Sequence, residues 1–534
     1  MLGVAEHWLT GFEAALAAGD DALEGMFERD SHWRDVLALT WRIGTVSGAA
    51  AVAARLARHC ARARPRAFEI DPQRTPPRRV KRGGSDCVEA IFRFETAEGR
   101  GTGVVRLLPG SDKAWTLLTA LEDLNDKKKY LENAKPAVLI VGGGQAGLSI
   151  GARLKRSGIG ALIVDRWPRV GDNWRRRYDA LMLHNQVHVN HLPYLPFPAS
   201  FPLYIPKDQL ADWFESYAAA MGLDHWTSAE FQGAIHEDGG WRAKVSRDGR
   251  MHELRPRHIV MATGVSDVPI VPEIPALMGF SGTVLHSSEY QGGGPWKGRR
   301  AVVIGTGTSG HDIAQDLHSA GAQVTIVQRS PTLVIQCDPS AQLVYGIYGE
   351  GPPLEDCDLV TAAVPLQLAI KAHQLACDHA RQLDQALLDK LEEKGFRLDF
   401  GEDNTGWQFK YLRRGGGYYF NVGCSDLIVE GKVGLAQFAE LEKHLETADL
   451  VVLATGYKGL EATVEQLFGK PIAERVGPIW GIGDNQELRN MFQRTAQPGL
   501  WFMAGSFAQS RIYSKYLALQ IQATEAGLLR DGAS

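Results

Sequence analysis

Two stretches of the chain share one pattern of apolar and polar positions. In the first, residues 136–166, a β-branched run from Ala137 to Val141 leads into Gly142-x-Gly144-x-x-Gly147. Apolar positions at helical spacing follow (Leu148, Ala152, Leu154), and a second apolar run, Ala161 to Val164, ends in Asp165. In the second, residues 299–331, Ala301 to Ile304 leads into Gly305-x-Gly307-x-x-Gly310. A helical stretch then reaches about Ala320, and Val324 to Val327 ends in Gln328-Arg329-Ser330. Short unbroken apolar runs suit strands buried on both faces of a parallel sheet. Each stretch thus predicts strand, glycine loop, helix and strand within about 30 residues, the pattern of a dinucleotide-binding unit.

The chemistry of the two loops follows from the residue types. Gly142 allows a tight turn, Gly144 lets backbone N–H groups approach a pyrophosphate, and Gly147 lets the helix pack on the strand. Gln145 and Ala146 lie beside that phosphate in the first loop, as do Thr308 and Ser309 in the second. Asp165, with Arg166 next to it, is placed to accept hydrogen bonds from a ribose. Arg329, beside Gln328, stands where a 2′-phosphate would lie, which favours NADPH over NADH; a solvated arginine at a strand end is the alternative. One acidic and one basic unit imply two cofactors, FAD on the first and NADPH on the second.

The first 130 residues have no glycine loop. Trp8 to Leu16 and Leu23 to Phe27 predict amphipathic helices, His32-Trp-Arg-Asp35 leads into a third segment, and Ala49 to Cys60 predicts an alanine-rich helix. Val88 to Glu95, Gly101 to Leu108 and Ala114 to Leu121 predict strands, so helices precede a sheet and the class is α+β. Residues 55–82 hold ten Lys or Arg against two acidic residues, with four prolines. A solvated basic loop is the simpler expectation; a docking surface for the acidic catalytic part, or for an NADPH phosphate, is the other. Asn125 to Lys129 is polar and reads as a linker. Residues 354–398 predict a helical insertion expected to lie over the nicotinamide domain, as a lid or as a contact that forms a homodimer.

Composition narrows the classes. A length of 534 residues suggests two to four domains, and 44% hydrophobic with 22% charged residues excludes a mostly disordered chain. The net charge of −4 gives no sign of a nucleic-acid partner, and no apolar run approaches membrane-spanning length. The six cysteines are scattered, which leaves neither a redox dithiol nor a metal-binding pattern and suits a cytoplasmic location.

Between the glycine loops lies Phe280-Ser-Gly282-Thr-Val-Leu-His286-Ser-Ser-Glu-Tyr290. On the residues alone, Gly282 can bend, and a structural His286 is favoured over a catalytic one. The spacing FxGxxxHxxxY resembles the fingerprint of class B flavin-dependent monooxygenases, and Tyr290 is like the flavin-containing branch. Gly171-Asp-Asn173-Trp174 resembles the GGxW flavin loop of that family. Met261-Ala262-Thr263-Gly264 and Leu453-Ala454-Thr455-Gly456-Tyr457 resemble its two ATG linkers. The first 130 residues resemble the ketosteroid-isomerase-like cone domain, and bacterial flavin monooxygenases with an N-terminal extension look similar overall.

The resemblance implies an α/β fold with two Rossmann-like domains behind that small α+β cone. It places the extension at 1–130, the FAD domain at 131–284 and 426–534, and the NADPH domain at 285–425. It implies an enzyme that uses FAD, NADPH or NADH, and O2 to insert one oxygen atom into a small organic substrate. Baeyer–Villiger oxidation of ketones and sulfur or nitrogen oxygenation are the expected branches. A decarboxylating indole-3-pyruvate-type reaction and an uncoupled NADPH oxidase are the alternatives. His184 occupies the position of the family's active-site Asn, with Asn185 beside it. Arg413 and Arg414, ahead of Gly417-Tyr-Tyr419, resemble the arginine segment of Baeyer–Villiger enzymes; phosphate binding or a solvated loop is equally compatible.

Overall fold

In the computed structural model, residues 1–125, 136–179 and 181–529 are described. Most of the expected linker, from residue 126 onward, and the expected 130/131 boundary lie outside the described residues.

The N-terminal unit packs helices Leu2–Ala18, Asp20–Gly25 and Ala49–Ala63 against a seven-stranded sheet. The sheet runs Ile43–Ser47, Phe27–Val36, Ala114–Leu124, Gly99–Leu107, Ser85–Glu95 and Arg66–Ile70, with Arg78–Arg82 also paired to Ser85–Glu95. Trp8 stacks on Phe12 at 4.8 Å, and Phe12 meets Phe68 edge-on, which closes the helices over the sheet. Phe27 therefore opens a strand rather than ending a helix, and His32 to Asp35 belong to that strand. Burial near its C-terminal end is continuous, so the polar–apolar alternation that identifies a half-buried strand is missing.

The expected basic loop holds two strands, Arg66–Ile70 and Arg78–Arg82. Some of its arginines have acidic partners, while Arg58, Arg62, Arg64 and Arg79 are exposed. Arg82 meets both Glu89 and Glu350, and Arg74 meets Asp356 at 2.9 Å. The stretch is divided: Arg74, Arg78 and Arg82 dock onto residues 350–356, and the rest forms the solvated basic surface that was the simpler expectation.

Two parallel sheets follow. The first runs His225–Trp226, Ala161–Val164, Val138–Val141, His258–Met261 and Leu500–Phe502. The second runs Thr283–His286, Leu450–Leu453, Arg300–Ile304, Gln323–Gln328 and Gly434–Gln437. Two of these strands lie beyond residue 425, so the second sheet extends past the boundary expected there. They complete it because their apolar runs pair in register with Arg300–Ile304 and Gln323–Gln328.

The insertion forms helices Leu354–Ala362 and Leu366–Glu393, separated at Pro365. Leu387, Leu388 and Leu391 enter the core of the second nucleotide domain. The other end of the long helix meets the N-terminal unit, where a side chain on Gly83 would collide with Leu368. The short helix is clamped at both ends by the N-terminal unit. Asp356 in its first turn accepts from Arg74 and Thr75, while its last carbonyls accept from Arg106 and Arg34. The C-terminal helix Phe507–Glu525 begins with a capping box at Ser506 and lies beside Gln145–Arg156. No helix among the described residues is long and apolar enough to cross a membrane.

Candidate functional site

The two glycine loops are built alike. Gly142 has φ +106°, and a side chain there would lie 2.5 Å from the carbonyl oxygen of Ala262. Gly305 has φ +115° and faces the carbonyl of Ala454 in the same way. A Cβ on Gly147 would overlap the Gly142 carbonyl, and one on Gly310 the Gly305 carbonyl. Each loop is thus pressed against an ATG turn, and only glycine fits at the contacts.

The first loop opens into a cavity of about 540 Å3 lined by Gly142, Gly144, Gln145, Ala146, Asp165, Arg166, Asn173 and Thr263, among others. Asp165 accepts from the Gly143 N–H at 2.6 Å and from the Trp167 N–H at 2.9 Å. Gln145 donates to the carbonyl of Gly505. Asn173 Oδ1, Thr263 Oγ1 and both ring nitrogens of His225 are buried with no hydrogen-bond partner among the described residues. Buried polar atoms are rarely left unpaired in a finished fold. Together with N–H groups at the start of helix Gln145–Arg156, they suit a bound dinucleotide. Trp174, whose Nε1 is also unpaired, packs 6.2 Å from Phe507.

At the second loop Thr308 donates to the carbonyl of Tyr418 at 3.0 Å, and Ser309 lies beside it in the first turn of the helix Thr308–Ser319. Gln328 is fully buried and bonds both the N–H and the carbonyl of Arg397, so its side chain organises a loop instead of facing a cofactor. Arg329 is exposed at the end of its strand, with no side-chain partner among the described residues. Thr455 donates to the carbonyl of Ile270.

The five residues expected to be catalytic separate into three places. His184 is half-buried, its ring edge-on to Phe420, and its carbonyl accepts from Gln342. Burial lowers its imidazole to about 4, so it is neutral near pH 7. Asn185 lies beside Tyr345. These two residues therefore sit together, against the segment just before the insertion. Arg413 and Arg414 lie at the C-terminal end of helix Gly406–Arg414, where both bond Glu402 and Arg413 also reaches Asp403 at 3.3 Å. His286 joins Ser288 at 2.8 Å and the carbonyl of Gly456 at 3.2 Å, holding the second ATG turn. Gly282 is required for close approach rather than bending, because a side chain there would lie 2.6 Å from the carbonyl of Asp449.

A second cavity, between the N-terminal unit, the insertion and the C-terminal helix, was not legible in the sequence. Its walls come from segments hundreds of residues apart. The only local sign was the basic stretch that anchors one of them.

A family model described as pyridine nucleotide-disulphide oxidoreductase matches residues 139–347. All six cysteines of this chain are free. The probable indole-3-pyruvate monooxygenase YUCCA7 of Arabidopsis thaliana is 34% identical over 341 residues, which cover 60% of this chain and 74% of that protein. Indole-3-pyruvate monooxygenase YUCCA1 of Oryza sativa subsp. japonica is 35% identical over 215 residues, covering 40% of this chain and 52% of that protein. The chain spans about half the length of most curated relatives it matches. Among solved structures, an oxidized steroid monooxygenase bound to NADP has a TM-score of 0.52 at 17% identity, covering 73% of this chain and 86% of that one. A cyclohexanone monooxygenase mutant from Rhodococcus sp. Phi1 bound to NADP+ has a TM-score of 0.51 at 15% identity, with the same coverage of each chain. At these identities the likeness shows the fold alone.

Proposed function

The chain belongs to the class B flavin-dependent monooxygenases, and from that premise we propose that it uses NADPH, FAD and O2 to place one oxygen atom on a small organic molecule. The observation that carries this reading is the repeated packing of a glycine loop on an ATG turn, once beside Asp165 and once beside Arg329. When bound, the two cofactors carry hydride from nicotinamide to flavin and electrons from flavin to O2. The first loop, Asn173 and Thr263 hold FAD. The second loop and Arg329 hold NADPH, with Arg329 at the 2′-phosphate. His184, kept neutral, and Asn185 face the reacting end and supply uncharged hydrogen bonds.

Within the family, the ion-paired Arg413 and Arg414 give no support to an arginine that favours Baeyer–Villiger chemistry. The likeness to indole-3-pyruvate monooxygenases supports decarboxylating oxygenation of an aromatic 2-oxo acid instead. The helices and seven-stranded sheet at the N-terminus support the ketosteroid-isomerase-like reading of that unit.

The test is NADPH-driven turnover under 18O2 with indole-3-pyruvate, cyclohexanone and a thioether. One labelled oxygen in the product of one substrate is expected. Hydrogen peroxide equal to the NADPH consumed, with every substrate, would make the protein an uncoupled oxidase.

A further inference from the structure

The end of the insertion is seated on the second glycine-loop unit. The helix Leu366–Glu393 stops, Gly395 turns the chain with φ +86°, and Phe396 is buried in the core of that domain. The next residue, Arg397, is fixed through its backbone. Gln328 Oε1 accepts from its N–H at 2.8 Å, and Gln328 Nε2 donates to its carbonyl at 3.0 Å. The N–H of Thr332 donates to the same carbonyl at 3.1 Å. Gln437, on the neighbouring strand Gly434–Gln437, donates to the carbonyl of Gly395 at 3.1 Å. A fully buried glutamine is thus spent on the backbone of one surface residue.

What this seat presents is the Arg397 side chain. It is exposed, and its Nη2 donates to the backbone carbonyl of Arg329 at 2.7 Å. Its other N–H groups have no acceptor among the described residues. Arg329 and Arg397 therefore stand side by side just past the strand Gln323–Gln328, and neither has an acidic partner among the described residues. Like charges held this close repel, and an anion shared by both removes that cost. The open edge of a guanidinium fits a phosphate through two parallel hydrogen bonds.

We infer that Arg397 is a second ligand of the NADPH 2′-phosphate and that Gln328 is the positioning residue that seats it. Nucleotide choice then depends on the insertion as well as on the glycine-loop unit. The inference rests on the reading that Arg329 meets this phosphate.

Calorimetry on the full chain loaded with FAD tests it with adenosine 2′,5′-diphosphate and 5′-AMP, which differ only in the 2′-phosphate. The wild type is expected to prefer the diphosphate roughly a hundredfold, about tenfold from each arginine. Arg397→Ala should cut the preference about tenfold and leave 5′-AMP binding within about twofold. Arg397→Lys, which keeps the charge and loses the fork, should recover part of it. Gln328→Leu keeps the arginine but frees its backbone, and should lower the preference too. If that buried variant does not fold, the exposed Arg397 series still decides. An unchanged preference in Arg397→Ala, or an equal loss for both nucleotides, overturns the inference. An unchanged preference in a folded Gln328→Leu protein overturns the positioning role. If Arg329→Ala lowers the preference and Arg397→Ala does not, the inference falls and the NADPH reading stands. A wild type that binds both nucleotides equally removes the NADPH reading, and the inference with it.

Discussion

The Tyr178 hydroxyl donates to the Asp312 carboxylate, joining the segment after the flavin loop to the helix of the second glycine loop. Burial pushes the Asp312 carboxyl up to about 6 from its ordinary 3.8, against the pull of that hydrogen bond. The folded chain therefore holds the extra proton between these values, and stability falls as pH rises through them, by roughly 3 kcal/mol in all. Asp312→Asn keeps an acceptor for Tyr178 and removes the slope. Its thermal midpoint should exceed that of the wild type at pH 8 and lose the advantage at pH 4. Parallel midpoint–pH curves for the two proteins would refute this.

Arg413 and Arg414 are engaged by Glu402 and Asp403 at the surface. Exposed pairs of this kind contribute about 0–1 kcal/mol. Replacing both arginines by alanine should leave kcat within about twofold, since their charges are already engaged by these carboxylates. A hundredfold loss of kcat at unchanged FAD content would restore them to the catalytic set.

Arg329 has a different expected signature. Its alanine variant should raise the KM for NADPH by roughly tenfold or more, the worth of a charge-assisted hydrogen bond to phosphate, and move the KM for NADH by about twofold at most. Steady-state kinetics with both nucleotides reads this directly. Equal changes for the two would place the 2′-phosphate elsewhere.

Glu89 is the buried hub of the N-terminal sheet. Burial opposes its ionisation, but Arg106 and Arg82 outweigh that and hold it at about 2. Because the folded value is depressed, the stability it contributes is present above about 4.5 and is lost as pH falls toward 2. Glu89→Gln leaves the buried Arg106 guanidinium without a countercharge while Arg82 keeps Glu350, a change that costs about 3–5 kcal/mol. Hydrogen exchange should show the strand Ser85–Glu95 opening first in this variant. Protection there equal to the wild type would contradict the account.

The glycine loops were legible because their constraint is local: a backbone that must approach another backbone leaves no room for Cβ at Gly147 or Gly310. Two strands of each parallel sheet, those flanking the glycine loops, followed from short and almost wholly apolar runs. The strand Phe27–Val36 was not, since it carries charged residues whose partners lie far along the chain, as Arg34 has Glu487. Gln328 illustrates the opposite error. Its place after the second strand suggested a cofactor contact, but the nearest backbone to satisfy was that of Arg397. Spacing identifies where a side chain starts, and packing decides where it goes.

The clamp on the insertion also has a history during synthesis. Arg82 precedes Glu350 by 268 residues, and Arg34 precedes Glu487 by 453. At roughly 5–20 residues per second, translation leaves the N-terminal unit waiting for tens of seconds before those carboxylates emerge. Throughout that interval a folded cationic face stands without its counterpart beside the ribosome, itself a polyanion. The nascent chain is thus most exposed to unwanted association before its last third is made.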